Sequence, residues 1–341
     1  WTSTSSYPNT KLKPERTKSW EVGLDARILN DISLNLTYYR SNTYNQTFYA
    51  DLSLSSGYSN IPIQSGNIMN EGLEMSLGYN KQWKDFSFNT NYTLTWNKNR
   101  VKRLADGVYN YATGQPIQMP ELSPLTYGHT DARLILRVGG SMGDVYGQRL
   151  LKRDLNGYIL NEEGVGLAME NKETYLGSIL PKMNMGWSLG FGYKGVNLGM
   201  TFTGRFGGIV ISETQSVLDA AGVSKVSADV RDAGGVQINQ SKVSAQTYYQ
   251  TIQGTAAYYT YSATNVRLGE LSLSYTLPKK WFDNKVGMTV GLVGKNLWMI
   301  YCKAPFDPEL TTSAASNFYQ GFDAYMLPST RNFGFNVKFQ F

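Results

Sequence analysis

Nine segments of this 341-residue chain alternate apolar and polar side chains with a period of two, the pattern of strands that show a different environment to each face. Trp20, Val22, Leu24 and Ala26 alternate with Glu21, Gly23, Asp25 and Arg27. Past the Asn30-Asp31 turn, Ile32, Leu34, Leu36 and Tyr38 follow, then Leu73, Met75, Leu77 and Tyr79, then the run from Phe86 to Trp96. Further segments cover 183–193, 196–206, 266–277, 286–297 and 331–341. Each is about 10 to 15 residues long, well beyond the 5 to 6 usual for globular strands.

That length matches a strand crossing a bilayer at a tilt, which takes about 9–11 residues. The polar positions are mostly Ser, Thr, Asn and Gly, suited to a water-filled lumen, and the apolar ones suit lipid. A helical membrane protein is excluded, because the longest apolar run, Leu297 to Cys302, has six residues where a spanning helix needs about 20. A soluble sandwich alternates too, but with shorter strands and turn signals every 8–12 residues or so.

The joints between strands are lopsided. Short ones sit at Asn30-Asp31, 81–84, Lys194-Gly195 and 278–284, and long insertions at 41–69, 101–182, 207–263 and 298–329. Working back from a periplasmic C-terminus, every short joint falls inside and every long one outside, as in outer-membrane barrels. A further hairpin around 133–151 would add two strands without disturbing this parity. Nine or eleven strands is an odd count, and unpaired edges are not tolerated in lipid. The sequence is therefore expected to be all-β, with residues 1–341 forming the C-terminal portion of a larger transmembrane antiparallel β-barrel whose early strands are missing.

The remaining composition narrows the chemistry. Hydrophobic residues are 41% and charged residues 17%, against about 25% charged in ordinary soluble domains. One cysteine, Cys302, and one histidine, His129, exclude Cys/His zinc sites and any triad except one through His129. His129 and Asp131 lie two residues apart, a spacing that would put them on one face of a strand, yet no nucleophile pattern accompanies them and a polar loop position is the expectation. The charge of +6 is spread along the chain without a basic block for nucleic acid. No cofactor, metal or catalytic residue is expected.

Several motifs are more specific. Leu12-Lys-Pro-Glu-Arg-Thr-Lys-Ser-Trp-Glu-Val-Gly-Leu-Asp25 is similar to the segment that opens a barrel strand in TonB-dependent receptors, and Asn70-Glu-Gly-Leu-Glu-Met75 resembles another of their strand starts. Tyr175-Leu-Gly-Ser-Ile-Leu-Pro181 looks like the entry of a late hairpin. Val266 to Pro278, Gly294-Lys-Asn-Leu-Trp298, Asp307-Pro-Glu309 and Pro328-Ser-Thr-Arg331 follow in the order found in the SusC/RagA group of those receptors. The last strand carries Phe333, Phe335, Val337, Phe339 and Phe341 on one face, and resembles the C-terminal assembly signal of outer-membrane barrels.

The resemblance covers essentially the whole chain. It implies a plugged barrel of about 22 strands in a Bacteroidetes-like outer membrane. That barrel imports an oligosaccharide or a peptide with a SusD-like surface lipoprotein, and is energised by the TonB complex through the missing N-terminal part. An outer-membrane adhesin or enzyme on a similar barrel, or a soluble β-rich carbohydrate-binding module, are the alternatives. Aromatic side chains beside amides in the long insertions suit stacking on a sugar or contact with a partner, which selects Tyr109, Tyr111, Tyr248, Tyr249, Asn317, Phe318 and Tyr319. Tyr258, Tyr259 and Tyr261, next to a strand end, are expected in an aromatic membrane belt.

Overall fold

The computed structural model describes residues 6–7, 12–51, 57–64, 66–104, 121–162, 166–238, 241–310, 312 and 317–341. Nine strands form one antiparallel sheet in chain order. They are β1 (Arg16–Ile28), β2 (Ile32–Tyr44), β3 (Asn67–Trp83), β4 (Phe86–Arg103), β5 (Met183–Tyr193), β6 (Val196–Phe206), β7 (Asn265–Leu277), β8 (Gly287–Cys302) and β9 (Asn332–Gln340). Each alternating segment of the sequence corresponds to one of them, to within a residue at the ends of the last two. Among the described residues β1 and β9 are paired on one side only, so the sheet is an open arc of barrel wall.

Cross-strand register turns the alternation into two continuous surfaces. One carries Leu24, Leu36, Met75, Leu94 and Met185 in a row, and lower down Phe88, Phe191, Leu198, Leu273, Leu292 and Phe335. Val22 and Phe335 on this face are 66% and 68% exposed, which fits contact with lipid rather than water. The opposite face carries Asp25, Asn35, Ser76, Thr93, Gly186, Thr203 and Arg267 in one row. On β4 the outward positions run from Phe86 to Trp96, about ten residue steps that span roughly 25 Å when tilted near 40°, the height of a barrel's apolar band.

Several strands continue past this band at the end that carries the long insertions. There β3 starts at Asn67, not Leu73, and β4 reaches Arg103. The main-chain ladder persists although the apolar face stops, and Asn99 Nδ2 donates to Asn70 Oδ1 across it at 2.9 Å. At the other end the joints are tight. Lys194 (φ 45°) and Gly195 (φ 88°) close the β5–β6 hairpin with two left-handed residues. A Cβ on Gly195 would sit 2.8 Å from the Thr276 carbonyl oxygen, so a side chain is excluded there.

The long insertions pack on one another as a cap. Arg133–Arg137 and Asp144–Leu151 join Glu121–Thr126 and Met169–Ser178 in a separate four-stranded sheet outside the wall, so the hairpin around 133–151 adds no wall strands. The third insertion contributes three short helices, α1 (Glu213–Ala220), α2 (Lys225–Asp232) and α3 (Ala245–Ile252), which the strand pattern does not anticipate. Each is capped by a serine, Ser212, Ser224 or Ser244, whose hydroxyl accepts from the third residue on. No helix among the described residues is long and apolar enough to cross a membrane.

Candidate functional site

Three apolar clusters hold the cap together. Phe48, Ile68, Val101, Leu104, Leu122 and Leu136 form one, with Phe318 against it. Tyr127, Ala132, Leu134, Val145, Ile179, Ile211, Ala256 and Phe322 form the second, which draws on the last three insertions. The third contains Leu151, Leu167, Ile238, Tyr249, Ile252 and Tyr259.

Buried polar side chains fix these segments. Asp131 Oδ2 accepts from the main-chain N–H groups of Gln148 (3.1 Å) and Arg149 (2.8 Å), and Oδ1 from that of Ala256 (2.6 Å). Asp131 thus joins two insertions, while His129 beside it is exposed. Its oxygens serve main-chain donors, which gives Asp131 a structural job in place of an acid–base partnership with His129. Ser212, the N-cap of α1, also donates to Asp323 Oδ2 at 2.6 Å, beside a short parallel pairing of Ile211-Ser212 with Phe322-Asp323.

The aromatic candidates fall into two places. Tyr248 and Tyr249 sit on α3 with ring centroids 5.2 Å apart, edge to face, and Tyr249 is buried in the third cluster. Burial pushes both phenols up. Phe318 and Tyr319 lie in the turn Asn317–Gly321 beside Tyr127, whose hydroxyl donates to the Phe318 carbonyl at 2.7 Å. Tyr319 meets the Tyr127 ring edge to face at 6.1 Å. Tyr109 and Tyr111 lie outside the described residues. The belt expected of Tyr258, Tyr259 and Tyr261 is corrected: all three pack in or against the third cluster, because α3 folds over them. Burial pushes the Tyr261 phenol up to about 12. The aromatics of the wall's outward face are others, including Trp83 stacked on Phe86 at the tight-turn end and Trp20 against Tyr38 at the other.

A crevice of about 800 Å³ lies where β4 outruns β5 and the wall gives way to the cap. Its lining includes Asn97, Asn99, Ser141, Asp144, Tyr175 and Ser178. Asp144 Oδ2 accepts from the Ser141 N–H at 2.8 Å, and Oδ1 from the Tyr175 hydroxyl at 3.1 Å. Asn99 Oδ1 accepts from the Met142 N–H at 2.7 Å. Burial pushes the Asp144 carboxyl up against these bonds, and burial beside Asp144 pushes the Tyr175 phenol up to about 12. Tyr175 packs on Tyr146 at 5.2 Å, and Arg137 lies 4.5 Å above the Tyr146 ring while bridging Glu121 and Glu173. Aromatic rings of Trp96 and Tyr175 with hydroxyls, amides, a carboxylate and the cations of Lys98, Arg100 and Lys182 are a set that bonds hydroxylated or peptidic ligands. Sequence reasoning missed it, because its residues come from three separate stretches; the Tyr175 segment stood out there only as a strand entry.

A second polar cluster lies at the top of the lumenal face. Arg267 forms a two-bond pair with Asp307 and lies 3.3 Å from Glu309, while Asn265 Nδ2 donates to Glu309 Oε1 at 3.1 Å.

The family model for the β-barrel of TonB-dependent receptor-like proteins matches residues 1–297. The chain belongs to this family. As a TonB-dependent receptor barrel it is an outer-membrane protein, and its apolar wall face is the one that meets lipid. TonB-dependent receptor P3 of Formosa agariphila is 26% identical over 98% of the chain, and receptor P26 of the same organism 24% over 97%. The chain spans 35% of the length of each. Among solved structures, the RagAB peptide importer superposes in its 'open-open' state with a TM-score of 0.69 at 19% identity, over 99% of this chain and 36% of that one. Its 'closed-closed' state gives 0.66 at 18%, over 95% and 35%. The shared fold agrees with the SusC/RagA resemblance of the strand motifs.

Proposed function

We propose that this receptor barrel serves the import of a polar nutrient across the outer membrane, an oligosaccharide in the first reading. Residues 1–341 act as the C-terminal portion of the barrel and contribute wall and extracellular cap. The observation that carries the reading is the two-faced wall: a continuous apolar surface outside, and inside a row of Ser, Thr, Asn and Gly under a cap in which the last three insertions share a core. Tyr109, Tyr111, Asn317, Phe318 and Tyr319 remain the aromatic and amide side chains offered to substrate or partner, and Tyr248 and Tyr249 shape the cap. A SusD-like lipoprotein closes over the cap, and the TonB complex acts through the N-terminal part of the receptor. The face of Phe333, Phe335, Val337, Phe339 and Phe341 is the assembly signal. The transport reading assigns no catalytic residue.

The fold shared with a peptide importer favours a peptide as the second reading. Uptake by a strain lacking the gene tests both. Loss of growth on an oligosaccharide mixture, restored by the gene, supports the first reading, and loss on a peptide mixture the second. Unchanged growth and uptake on both would overturn import.

A further inference from the structure

The outward face of β1 to β4 changes character just above the apolar band. The row Val22, Tyr38, Leu73 and Trp96 is apolar and aromatic. The next row up is Trp20, Arg40, Glu71 and Lys98, and the one above it Lys18, Asn42, Met69 and Arg100. Four cations and one carboxylate therefore stand on the lipid-facing side at the level where the band ends, across three strand spacings of roughly 15 Å.

The carboxylate does not neutralise them. Glu71 lies 3.9 Å from Lys98, a long ion pair, and is itself largely covered. Lys18 and Lys98 are exposed, and Arg40 and Arg100 half-buried. The Nε of Arg40 is buried without a hydrogen-bond partner. Lys98 and Arg100 also line the crevice, together with Trp96 below them. These four cations stand on β1, β2 and β4. On β5 to β8 the outward positions at the same end are Met183, Phe206, Gly204, Val266, Leu268 and Trp298, without a charge. A general attraction for the membrane surface would not need such an asymmetry.

We propose that Lys18, Arg40, Lys98 and Arg100 form a binding site for the phosphate groups of a lipid headgroup in the outer leaflet. The band sets the depth, because acyl chains lying on Leu73 and Trp96 bring their headgroup to the cationic rows. Arginine and lysine beside a phosphate make short charge-assisted bonds, and clusters of them at a membrane interface select anionic headgroups. Trp20 and Tyr38, with rings 5.5 Å apart, form the aromatic floor between the acyl and headgroup levels.

The test uses the intact receptor in phosphatidylethanolamine nanodiscs that contain either diphosphoryl lipid A or its dephosphorylated form. Lipid retained through purification is measured by native mass spectrometry. The expected result is about tenfold greater retention of the diphosphoryl lipid. Lys98→Gln with Arg100→Gln should abolish that preference, and Lys98→Arg with Arg100→Lys should keep it. Lys279→Gln with Lys280→Gln, at the opposite rim, should leave it unchanged. Equal retention of the two lipids by the unaltered receptor overturns the proposal without reliance on any variant. Displacement of the lipid by millimolar inorganic phosphate overturns it too, in favour of a site for free phosphate.

Discussion

Arg267 grips Asp307 with two parallel hydrogen bonds, Nη1 to Oδ2 at 2.9 Å and Nη2 to Oδ1 at 2.7 Å. Both side chains are about nine-tenths covered. The pair ties the lumenal face of β7 to the insertion that follows β8, and Asn265 and Glu309 complete its surroundings. Removing one partner of a buried pair leaves the other charge uncompensated, at a cost of about 3–5 kcal/mol. Arg267→Gln should therefore loosen the 303–310 segment. The expected readout is faster amide hydrogen exchange there, with the heat-dependent gel mobility of the barrel retained.

The same pair makes the cap sensitive to acid. Burial alone would push the Asp307 carboxyl up, but the bonds from Arg267 and from the Glu309 N–H hold it below the usual carboxylate range. A carboxyl with a depressed pKa in the folded state adds stability that is complete above its unfolded value, about 3.9. That stability is lost as pH falls through the lower folded value. Hydrogen exchange across 303–310, corrected for intrinsic rates, should thus stay flat from pH 7 to roughly pH 4.5 and rise below about pH 4. Asp307→Asn should raise exchange at neutral pH and remove most of the acid dependence.

Asp131 offers a sharper test of the cap. Its two oxygens accept three main-chain N–H groups from two insertions. Asp131→Ala leaves those buried donors unpaired, each at about 1–3 kcal/mol. Limited proteolysis should then cut within 207–264 at least tenfold faster, while the wall stays folded. His129→Ala, on an exposed side chain, should change neither. Equal protection in both variants would show that Asp131 does not hold the cap.

The two faces of the wall predict opposite tolerance at neighbouring positions. Leu77 lies near mid-height on the outward face, and Ser76 on the lumenal one. An arginine facing lipid at the midplane costs about 2–4 kcal/mol, whereas a lumenal one mainly alters selectivity. Leu77→Arg should sharply reduce the assembled, heat-modifiable form, and Ser76→Arg should assemble normally. Matching assembly in the two variants would contradict the orientation of the sheet.

The wall was legible because a barrel strand is a local object. Trp20 to Ala26 or Phe86 to Trp96 states its own two faces, since successive side chains of an extended chain point to opposite sides. The turn at Lys194-Gly195 was legible for the same reason, as glycine permits the left-handed backbone such a hairpin requires. The cap was not. Serine caps precede α1, α2 and α3, but each helix is only eight residues long, and α3 takes its stability from burying Tyr249 and Ile252 against distant segments. Tyr258, Tyr259 and Tyr261 read as belt residues by their nearness to a strand end, and only the fold of α3 over them shows that they are core.

The sequence by itself determined nine wall strands and their order, which face of each meets lipid, and which end carries the insertions, while the structure decided that the 133–151 hairpin adds no further pair. Each of those follows from period-two patterning and from the lengths of the joints. The tertiary structure alone decided where the insertions go. Asp131, Asp144 and Asp307 are unremarkable carboxylates in the chain, and become fixed points only because their donors arrive from residues up to 125 positions away. The cationic rows of Lys18, Arg40, Lys98 and Arg100 are equally invisible along the sequence, because four strands must be laid in register before they share one face.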